Sequence, residues 1–189
     1  TMGWPLDNKT GGGSFMYHFG KNLVSIGFVV HLNYKNPSLS PFEEFQRYKT
    51  HPIIKDMLIG GKRLSYGARV ISEGGYQSVP KLTFPGGLLV GCAAGFVNVP
   101  RIKGSHNAIV SGVLAADALL ASFTTKNTLE ELVSYQDMYN KSSIAKELSK
   151  VKNVKPLWSK FGTLIGVALG GIDMWLRDLG INIPFTMSH

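Results

Sequence analysis

The sequence is poor in cysteine: Cys92 is the single thiol among 189 residues. One thiol cannot form an internal disulfide, and it excludes an iron–sulfur cluster or structural zinc site built from several thiolates of this chain. Any such metal group would need ligands from elsewhere. Residues 1–7 contain no basic segment followed by an apolar core, so no signal or transit peptide is expected there.

Acidic residues are also scarce, with 12 Asp and Glu against 20 Lys and Arg and a formal net charge of +8. The excess is concentrated between Lys141 and Lys160, where six lysines accompany one acid, Glu147. Nucleic acid, anionic lipid and an acidic protein are all possible partners of a basic chain. Because these lysines directly precede the most apolar stretch, their position favours a lipid surface and argues against nucleic acid.

That apolar stretch, residues 161–176, is interrupted by Asp173. As a helix it would extend about 24 Å, short of the roughly 30 Å hydrocarbon core of a bilayer. Trp158 and Trp175 bracket it as interfacial anchors would. Glycines spaced four apart give it a small-residue face for helix packing; they are Gly162, Gly166 and Gly170. An in-plane or partly inserted membrane segment is expected, with a buried core helix as the alternative.

The residue pattern predicts a mixed α+β fold. Alternating and apolar runs bounded by glycine and proline indicate strands, and Ser40 followed by Pro41 marks a helix start. A change of composition near Lys126 is the best candidate boundary. The predicted elements are a hairpin over 14–34, helices over 41–48 and 53–59, strands over 62–70, 81–83 and 88–91, a helix over 105–123, a polar helical stretch over 128–151 and the apolar segment 161–179.

The strongest chemical signal is a strand, loop and helix between residues 88 and 112. The buried strand ends in small residues, and Gly104 leads into a helix that Ser105 begins. Backbone amides in such an arrangement can face an anion or an electron-rich ring. Packing alone is the alternative reason for the small residues. Small side chains also follow one side of the helix and allow a close approach to a sheet or a cofactor; they are Ala108, Gly112, Ala115 and Ala116.

Taken in order, the motifs resemble those of the electron-transfer flavoprotein:ubiquinone oxidoreductase family, over nearly the whole chain. The stretch from residue 88 resembles the second flavin-contacting segment of glutathione-reductase-type flavoproteins. Cys92 stands where that wider group usually has Asp, a departure typical of the quinone oxidoreductases. The other matching motifs lie at 3–7, 12–15, 39–42, 45–47, 60–63, 66–69, 73–75 and 80–87.

This resemblance implies part of a glutathione-reductase-type FAD fold, with an antiparallel-sheet quinone-binding domain and C-terminal helices. The expected division is a quinone-binding portion over 1–72, a second FAD-contacting segment over 73–125 and a membrane-associating helical segment over 126–189. Complete members also carry a Gly-x-Gly-x-x-Gly turn for the FAD pyrophosphate and a ferredoxin-like domain with four cluster cysteines. Neither is found in this sequence.

The resemblance also implies site residues. Gly12 and Gly13 are expected to offer backbone contacts to the quinone head group, because glycine lets the main chain approach a planar ring. The alternative is a glycine-rich turn before a hairpin. A loop over 73–77 is expected near the flavin. Flavin contacts are expected at Gly91, Gly95, Asn98, Val99, Gly104 and Ser105.

Three histidines are weaker candidates as proton carriers for quinone reduction, since a single histidine is more often a surface or packing residue. They are His18, His51 and His106. No residue of this chain is assigned a catalytic or metal-binding role.

The function implied for the family is electron transfer from electron-transfer flavoprotein, through FAD and a four-iron cluster, to ubiquinone. The expected place is the matrix face of the mitochondrial inner membrane, or a bacterial cytoplasmic membrane. This chain is expected to share FAD with another domain or chain and not to bind the 4Fe-4S cluster itself. Expected partners are ubiquinone, lipid, electron-transfer flavoprotein, the part carrying the missing motifs, and respiratory complex subunits.

Several roles fit an incomplete set of motifs, and catalysis by residues 1–189 alone is not expected. The chain is a fragment of the enzyme, one chain of a split enzyme, or a non-catalytic structural subunit of a respiratory membrane complex. A fragment of a related flavin-dependent reductase acting on isoprenoid lipids is a further alternative, and it is less consistent with the motifs at 60–63 and 84–87.

Overall fold

A computed structural model of the chain describes residues 3–124, 131–181 and 186–187, which form two compact units. The first unit takes in residues 1–68 and 157–168, and the second takes in 69–156 and 169–189. Helices and small antiparallel sheets build them, so the predicted mixed α+β class is confirmed. The proposed boundary at Lys126 lies outside the described residues, and the three-part division stays a prediction.

The first unit is built on an antiparallel hairpin, as predicted. Strand β1 (Gly12–Phe19) pairs with β2 (Leu23–Val30), so that Gly12 lies opposite Val30. Helix α1 (Pro41–Lys49) begins at Ser40, whose Oγ accepts the N–H of Glu43 at 3.3 Å. Helix α2 (Pro52–Leu58) follows. The Phe28 ring of β2 stacks on Phe45 and Tyr48 of α1 and joins sheet to helix.

The predicted strand over 62–70 is wrong, because residues 61–75 form neither helix nor strand. Leu64, Tyr66 and Val70 are exposed. A strand needs a hydrogen-bonded neighbour, and within the described chain no strand pairs with this segment.

The second sheet is also smaller than predicted. Strands β3 (Thr83–Phe84) and β4 (Gly87–Leu88) form a short antiparallel hairpin around Gly86, whose φ is +78°. The expected buried strand over 88–91 is therefore wrong beyond Leu88. The chain turns at Gly91, with φ +57°, into a short 3-10 turn over Gly91–Ala94.

The core of the second unit lies between that hairpin and three helices. These are α3 (Ser105–Thr124), α4 (Val133–Lys141) and α5 (Ser143–Lys150). The predicted helix over 105–123 is confirmed, and the polar helical stretch is two helices separated at Ser142. The Phe96 ring stacks on Tyr139 at 4.9 Å. The fully enclosed members of the core are Leu82, Ala94, Phe96, Tyr135, Ile144 and Leu148.

The apolar run belongs to α6 (Val154–Asp178), which is broken at Gly162. Gly162 has φ +77° and ψ −176°, so residues 154–161 and 163–178 are two helical arms. A Cβ placed on Gly166 would lie 2.6 Å from the Cα of Trp158, and one on Gly170 would lie 3.4 Å from the Cα of Val154. The arms therefore fold back on each other, and the predicted glycine packing face is confirmed for Gly166 and Gly170. It is wrong for Gly162, which breaks the helix and lies against Asn8 instead.

The second arm of α6, residues 163–178, directs its apolar side chains outward. Gly166, Gly170 and Asp173 are buried. Leu164 is 76% exposed and Trp175 is 63% exposed. This is the reverse of an ordinary surface helix, which buries its apolar stripe. Within this chain the second arm is therefore not the buried core helix offered as the alternative.

Among the described helices, α3 is the one long and apolar enough to cross a membrane, on length and composition alone. A core helix of a soluble protein can meet the same requirement. The second arm of α6 does not meet it, as expected from its length.

Candidate ligand-binding sites

A cavity of about 330 Å³ lies in the second unit, where two predicted segments meet. One wall is the turn at residues 93–95 and the other is the loop over 72–80. This volume is at the lower end of the range for ligand pockets. The loop over 73–77 and the predicted flavin segment are thus neighbours in space. The lining residues are Ser72, Gly74, Ser78, Pro80, Ala93, Ala94 and Gly95.

The two glycines of the turn serve different purposes. The Gly91 N–H donates to Ser111 Oγ at 2.9 Å, and a Cβ on Gly91 would lie 3.1 Å from the Cβ of Ala108. Gly91 is therefore required by packing against α3. Gly95 has φ +79°, and a Cβ there would meet only Ser72, at 4.0 Å. Gly95 thus leaves open space beside the cavity, where a side chain would intrude.

Asn98 holds a loop together. Its Nδ2 donates to Glu147 Oε1 at 2.7 Å, its Oδ1 accepts the N–H of Arg101 at 3.1 Å, and its backbone pairs with Lys103. Val99 is buried beside it. Neither residue lines the cavity, and a flavin contact by either stays a prediction.

The start of α3 carries a charge cluster. Glu147 of α5 accepts from Asn98, its Oε1 lies 2.9 Å from His106 Nε2, and its Oε2 lies 3.6 Å from an Arg101 guanidinium nitrogen. A carboxylate therefore already lies by the first turn of α3, where the helix dipole favours negative charge. Gly104 packs tightly just before this turn, since a Cβ there would lie 3.1 Å from Val97 Cγ2. Ser105 is exposed.

The same cluster sets the ionisation of Glu147. Burial alone would raise its pKa. The hydrogen bonds with Asn98 and His106, and the charges of His106 and Arg101, outweigh burial and hold the pKa below its ordinary value. Sequence reasoning missed Glu147 as a site residue. Its isolation among six lysines was the signal that could have identified it.

Polar contacts hold the cavity loop against residues 152–155 and against Met187. Gln77 Nε2 donates to the carbonyl oxygens of Lys152 at 2.8 Å and Met187 at 3.0 Å. The Lys155 ammonium lies 3.5 Å from Glu73. Burial lowers the pKa of Lys155, and the Glu73 carboxylate partly offsets that shift. Glu73 and Gln77 thus fix the loop and leave Gly74, between them, at the cavity.

The predicted quinone glycines lie at the start of β1, in the first unit. Gly12 is buried, and a Cβ there would lie 2.6 Å from Leu6 Cδ1 and overlap the carbonyl oxygen of Val29. The hairpin itself therefore requires a glycine at this position. This agrees with the alternative interpretation, in which the glycines serve the hairpin and not a quinone. Gly13 is half-buried opposite Val29. Both offer main-chain groups at one end of the sheet.

The three candidate proton carriers have different local surroundings. His18 is exposed on β1, His51 contacts the Trp4 ring at a centroid distance of 5.4 Å, and His106 pairs with Glu147. His31, which sequence reasoning did not select, is buried beside Gly11 and meets Trp158 edge-on at 4.7 Å. The main-chain N–H of His31 donates to the Gly11 carbonyl oxygen at 2.9 Å.

Across residues 3–124, 131–181 and 186–187, no three His, Cys, Asp or Glu side chains are grouped closely enough to hold a metal ion. Cys92 is exposed, and its Sγ lies 3.7 Å from where a Cβ on Gly104 would be.

Comparison with known families and proteins agrees with the motif resemblance. A family model described as "ETF-QO, ubiquinone-binding" matches residues 1–71. The mitochondrial electron transfer flavoprotein-ubiquinone oxidoreductase of Rattus norvegicus is 50% identical over the whole chain, and that of Homo sapiens is 49% identical. The probable enzyme of Saccharomyces cerevisiae is 47% identical over 99% of the chain. The chain spans about a third of the length of these relatives, 32% in each case.

Replacing Glu147 by Gln should lower the free energy of unfolding at neutral pH by about 1 kcal/mol, because a charged acceptor is lost. The folded-state pKa lies below the ordinary 4.5, so the benefit of the carboxylate is full above that value and is lost as pH falls through the lowered pKa. Thermal unfolding of both proteins between neutral pH and about pH 3 measures this difference.

The control for that comparison is Asp137→Asn, which alters an exposed carboxylate on α4. It should leave the free energy of unfolding at neutral pH within about 0.5 kcal/mol of the wild type, as expected for an exposed substitution. A stability difference for Glu147→Gln that stays constant over the whole pH range would contradict the role given to the ionised carboxylate.

Proposed function

From the membership of this chain in the electron transfer flavoprotein-ubiquinone oxidoreductase family, we propose that residues 1–189 supply the quinone-binding part and one wall of the flavin site of an enzyme that passes electrons from electron-transfer flavoprotein to ubiquinone. The single observation that carries the proposal is identity near 50% along the whole chain, including the quinone-binding match at residues 1–71. This chain spans about a third of the length of those relatives, so the activity is proposed for a larger protein or assembly that contains it.

The cavity at Gly95 fits one end of a flavin. Its walls carry small residues from two segments, and Gly95 and Gly74 let the main chain approach a planar ring closely. FAD supplies the electron-carrying ring when it is bound. Ser72 and Ser78 add hydroxyl groups at the wall that faces Gly95. These features support a portion of a glutathione-reductase-type FAD fold.

The remainder of the FAD site and the 4Fe-4S cluster are assigned to another domain or chain. A pocket of about 330 Å³ suits a ring system and not a whole dinucleotide. The pyrophosphate turn of the family is absent from this sequence, and Cys92 offers one thiolate where a cluster takes four.

The quinone site is assigned to the start of β1, within the segment matched by the quinone-binding family model. Gly12 and Gly13 present main-chain groups there, and the quinone carbonyls are acceptors for backbone N–H donors. Gly11 adds a third residue without a side chain, and the imidazole of His31 fills the space on its open side.

The membrane surface is assigned to the second arm of α6. Its outward side is apolar, with Leu164, Ile165, Ile172 and Trp175 exposed. Exposed apolar patches on a helix indicate a partner or a lipid surface. The upstream lysines would meet anionic headgroups. For this family a place on the matrix face of the mitochondrial inner membrane follows, and the relatives are named as mitochondrial enzymes.

The flavin assignment is tested by a matched pair of glycine substitutions in the complete protein that carries this chain. Both glycines have a positive φ, 79° at Gly95 and 78° at Gly86, so alanine is strained at either position. Both positions have space for a Cβ, but only the one on Gly95 enters the cavity. Gly95→Ala should weaken flavin retention about tenfold, as for overpacking a close contact. Flavin absorbance per protein after purification measures it.

Gly86→Ala should keep the wild-type flavin content. Equal losses in both variants would mean that strain, and not the cavity, decides retention. A wild-type protein purified from its native membrane without flavin, and without a partner carrying the missing motifs, would instead favour the non-catalytic subunit.

The membrane assignment predicts that the double change Ile172→Glu and Trp175→Glu lowers partitioning to vesicles of phosphatidylcholine and phosphatidylglycerol by at least about tenfold, since two apolar contacts with lipid are lost. Co-sedimentation measures bound protein. Val133→Glu, an equally exposed position on α4 outside this surface, is the control and should bind as the wild type does. Unchanged partitioning of the double variant would reject the assignment.

A further inference from the structure

The geometry points to Asn8 as a positioning residue for the quinone site, an inference that rests on the proposed function. Asn8 precedes the glycines at Gly11–Gly13 and holds their loop on the second arm of α6. Asn8 is not itself one of the predicted quinone contacts, Gly12 and Gly13. Its effect on quinone binding would therefore be exerted through the main chain that it fixes.

The contact begins with the break in α6. A helix leaves its first N–H groups without intrahelical acceptors, and the break at Gly162 creates such a start inside the chain. Asn8 supplies both acceptors: its main-chain oxygen accepts the N–H of Thr163 at 2.9 Å, and its Oδ1 accepts the N–H of Leu164 at 3.0 Å. Asn8 is thus an N-cap contributed by a distant part of the chain.

Gly162 is fitted to this cap. A Cβ there would lie 2.7 Å from the Asn8 carbonyl oxygen and 3.1 Å from its Nδ2. The positive φ of Gly162 also disfavours any other residue. The glycine that breaks α6 is therefore also the residue that lets the loop approach the new helix start.

The loop that presents Asn8 is ordered locally. Asp7 Oδ1 accepts the N–H groups of Lys9 at 3.0 Å and Thr10 at 2.8 Å, forming a turn with Asn8 at its outer corner. Asn8 and Lys9 are exposed, and Thr10 is buried. The side chain of Asn8 therefore points to the helix without being part of a core.

The other end of the same loop is held by the first arm of α6. Gly11 accepts the N–H of His31, and the His31 ring packs edge-on against Trp158. Trp158 Nε1 donates to Thr163 Oγ1 at 3.1 Å, which joins the two arms across the break. Residues 8–11 are thus attached at both ends to one short segment, 158–164.

Gly12 and Gly13 are the next residues along the chain, so the position of this loop determines where they lie. Main-chain hydrogen bonds to a quinone carbonyl require donor–acceptor distances within a few tenths of an ångström. Releasing the Asn8 end should let the glycines sample other positions. Quinone affinity should fall, while the chemical step in the bound complex stays nearly unchanged.

The test uses the complete protein that carries this chain, in wild-type form and as Asn8→Ala, Asn8→Asp and Lys9→Ala. Ala removes the side-chain acceptor, whereas Asp retains it with a charge that a helix N-terminus favours. Lys9→Ala alters an exposed side chain of the same turn, whose backbone N–H is kept. Measured quantities are kcat and KM for a short-chain ubiquinone analogue, direct binding of that analogue, and the melting temperature.

Asn8→Ala should raise KM and the dissociation constant of the analogue about fivefold, the factor expected for losing a cap. Its kcat should stay within about twofold of the wild type. Asn8→Asp and Lys9→Ala should behave as the wild type.

Equal KM values for Asn8→Ala and the wild type would overturn the assignment, and so would an Asp variant as weak as the Ala variant. A large fall in melting temperature and kcat together, with KM unchanged, would overturn it as well, because it would show a purely structural contact. A wild-type protein that does not bind the analogue would overturn the proposed function, and this role with it.

Discussion

The break at Gly162 is the constraint on which much of this structure depends. Only a residue without a side chain readily takes φ +77°, and only there do the two arms of α6 turn back on each other. Gly166 then lies against the main chain of Leu157 and Trp158, and Gly170 lies against Val154. A continuous helix over the same residues would have neither the internal helix start that Asn8 caps nor the contact between Trp158 and Thr163.

A second consequence of the break is that the second arm buries polar side chains and exposes apolar ones. Asp173 is buried, accepting from Asn153 Nδ2 at 3.1 Å and from Arg177 Nε at 2.9 Å. Such a buried charge is tolerated because it is paired and hydrogen-bonded. Asn153 in turn accepts the Met187 N–H at 3.0 Å. With its polar groups engaged inward, the arm presents apolar side chains outward, which suits a lipid surface.

The cavity loop draws on the same part of the second unit. Lys152, Lys155 and Met187 all contact Glu73 or Gln77, and these residues flank Asn153 or bond to it. The loop opposite Gly95 is therefore held by residues that neighbour or bond to Asn153, and Asn153 is the residue that donates to Asp173. One hydrogen-bonded group thus supports both the base of the outward-facing arm and the wall of the candidate flavin site.

Sequence reasoning succeeded where local signals decide structure. The hairpin, the Ser40 cap and the helix from Ser105 followed from alternation and capping residues. The packing of Gly166 and Gly170 followed from their spacing, whereas the break at Gly162 did not. It failed where a neighbouring segment of the chain decides the local structure. Residues 62–70 alternate like a strand, but no strand of the described ranges pairs with them. The chain after Leu88 turns at Gly91, which packs closely against Ala108.

Sequence reasoning could not predict long-range contacts either, because it rests on local signals. Asn8 and Thr163 are far apart in sequence, and nothing in either segment indicates the pairing. In the sequence, Glu147 is one acidic residue in a basic stretch. Its contacts with Asn98, Arg101 and His106 become evident only in the folded chain. Of the predicted flavin contacts, Gly95 lines the cavity, whereas Asn98 and Val99 are held within their own loop. A flavin contact by any of the three stays a prediction.

The central claim is that this chain carries the quinone site at the start of β1. Photolabelling of the complete protein with an azido-ubiquinone, followed by peptide mapping, tests it most directly. The account predicts labelling at or next to Gly11–Gly13 that excess ubiquinone analogue suppresses. Labelling confined to residues outside 1–71, or labelling at β1 that the analogue does not suppress, would contradict it.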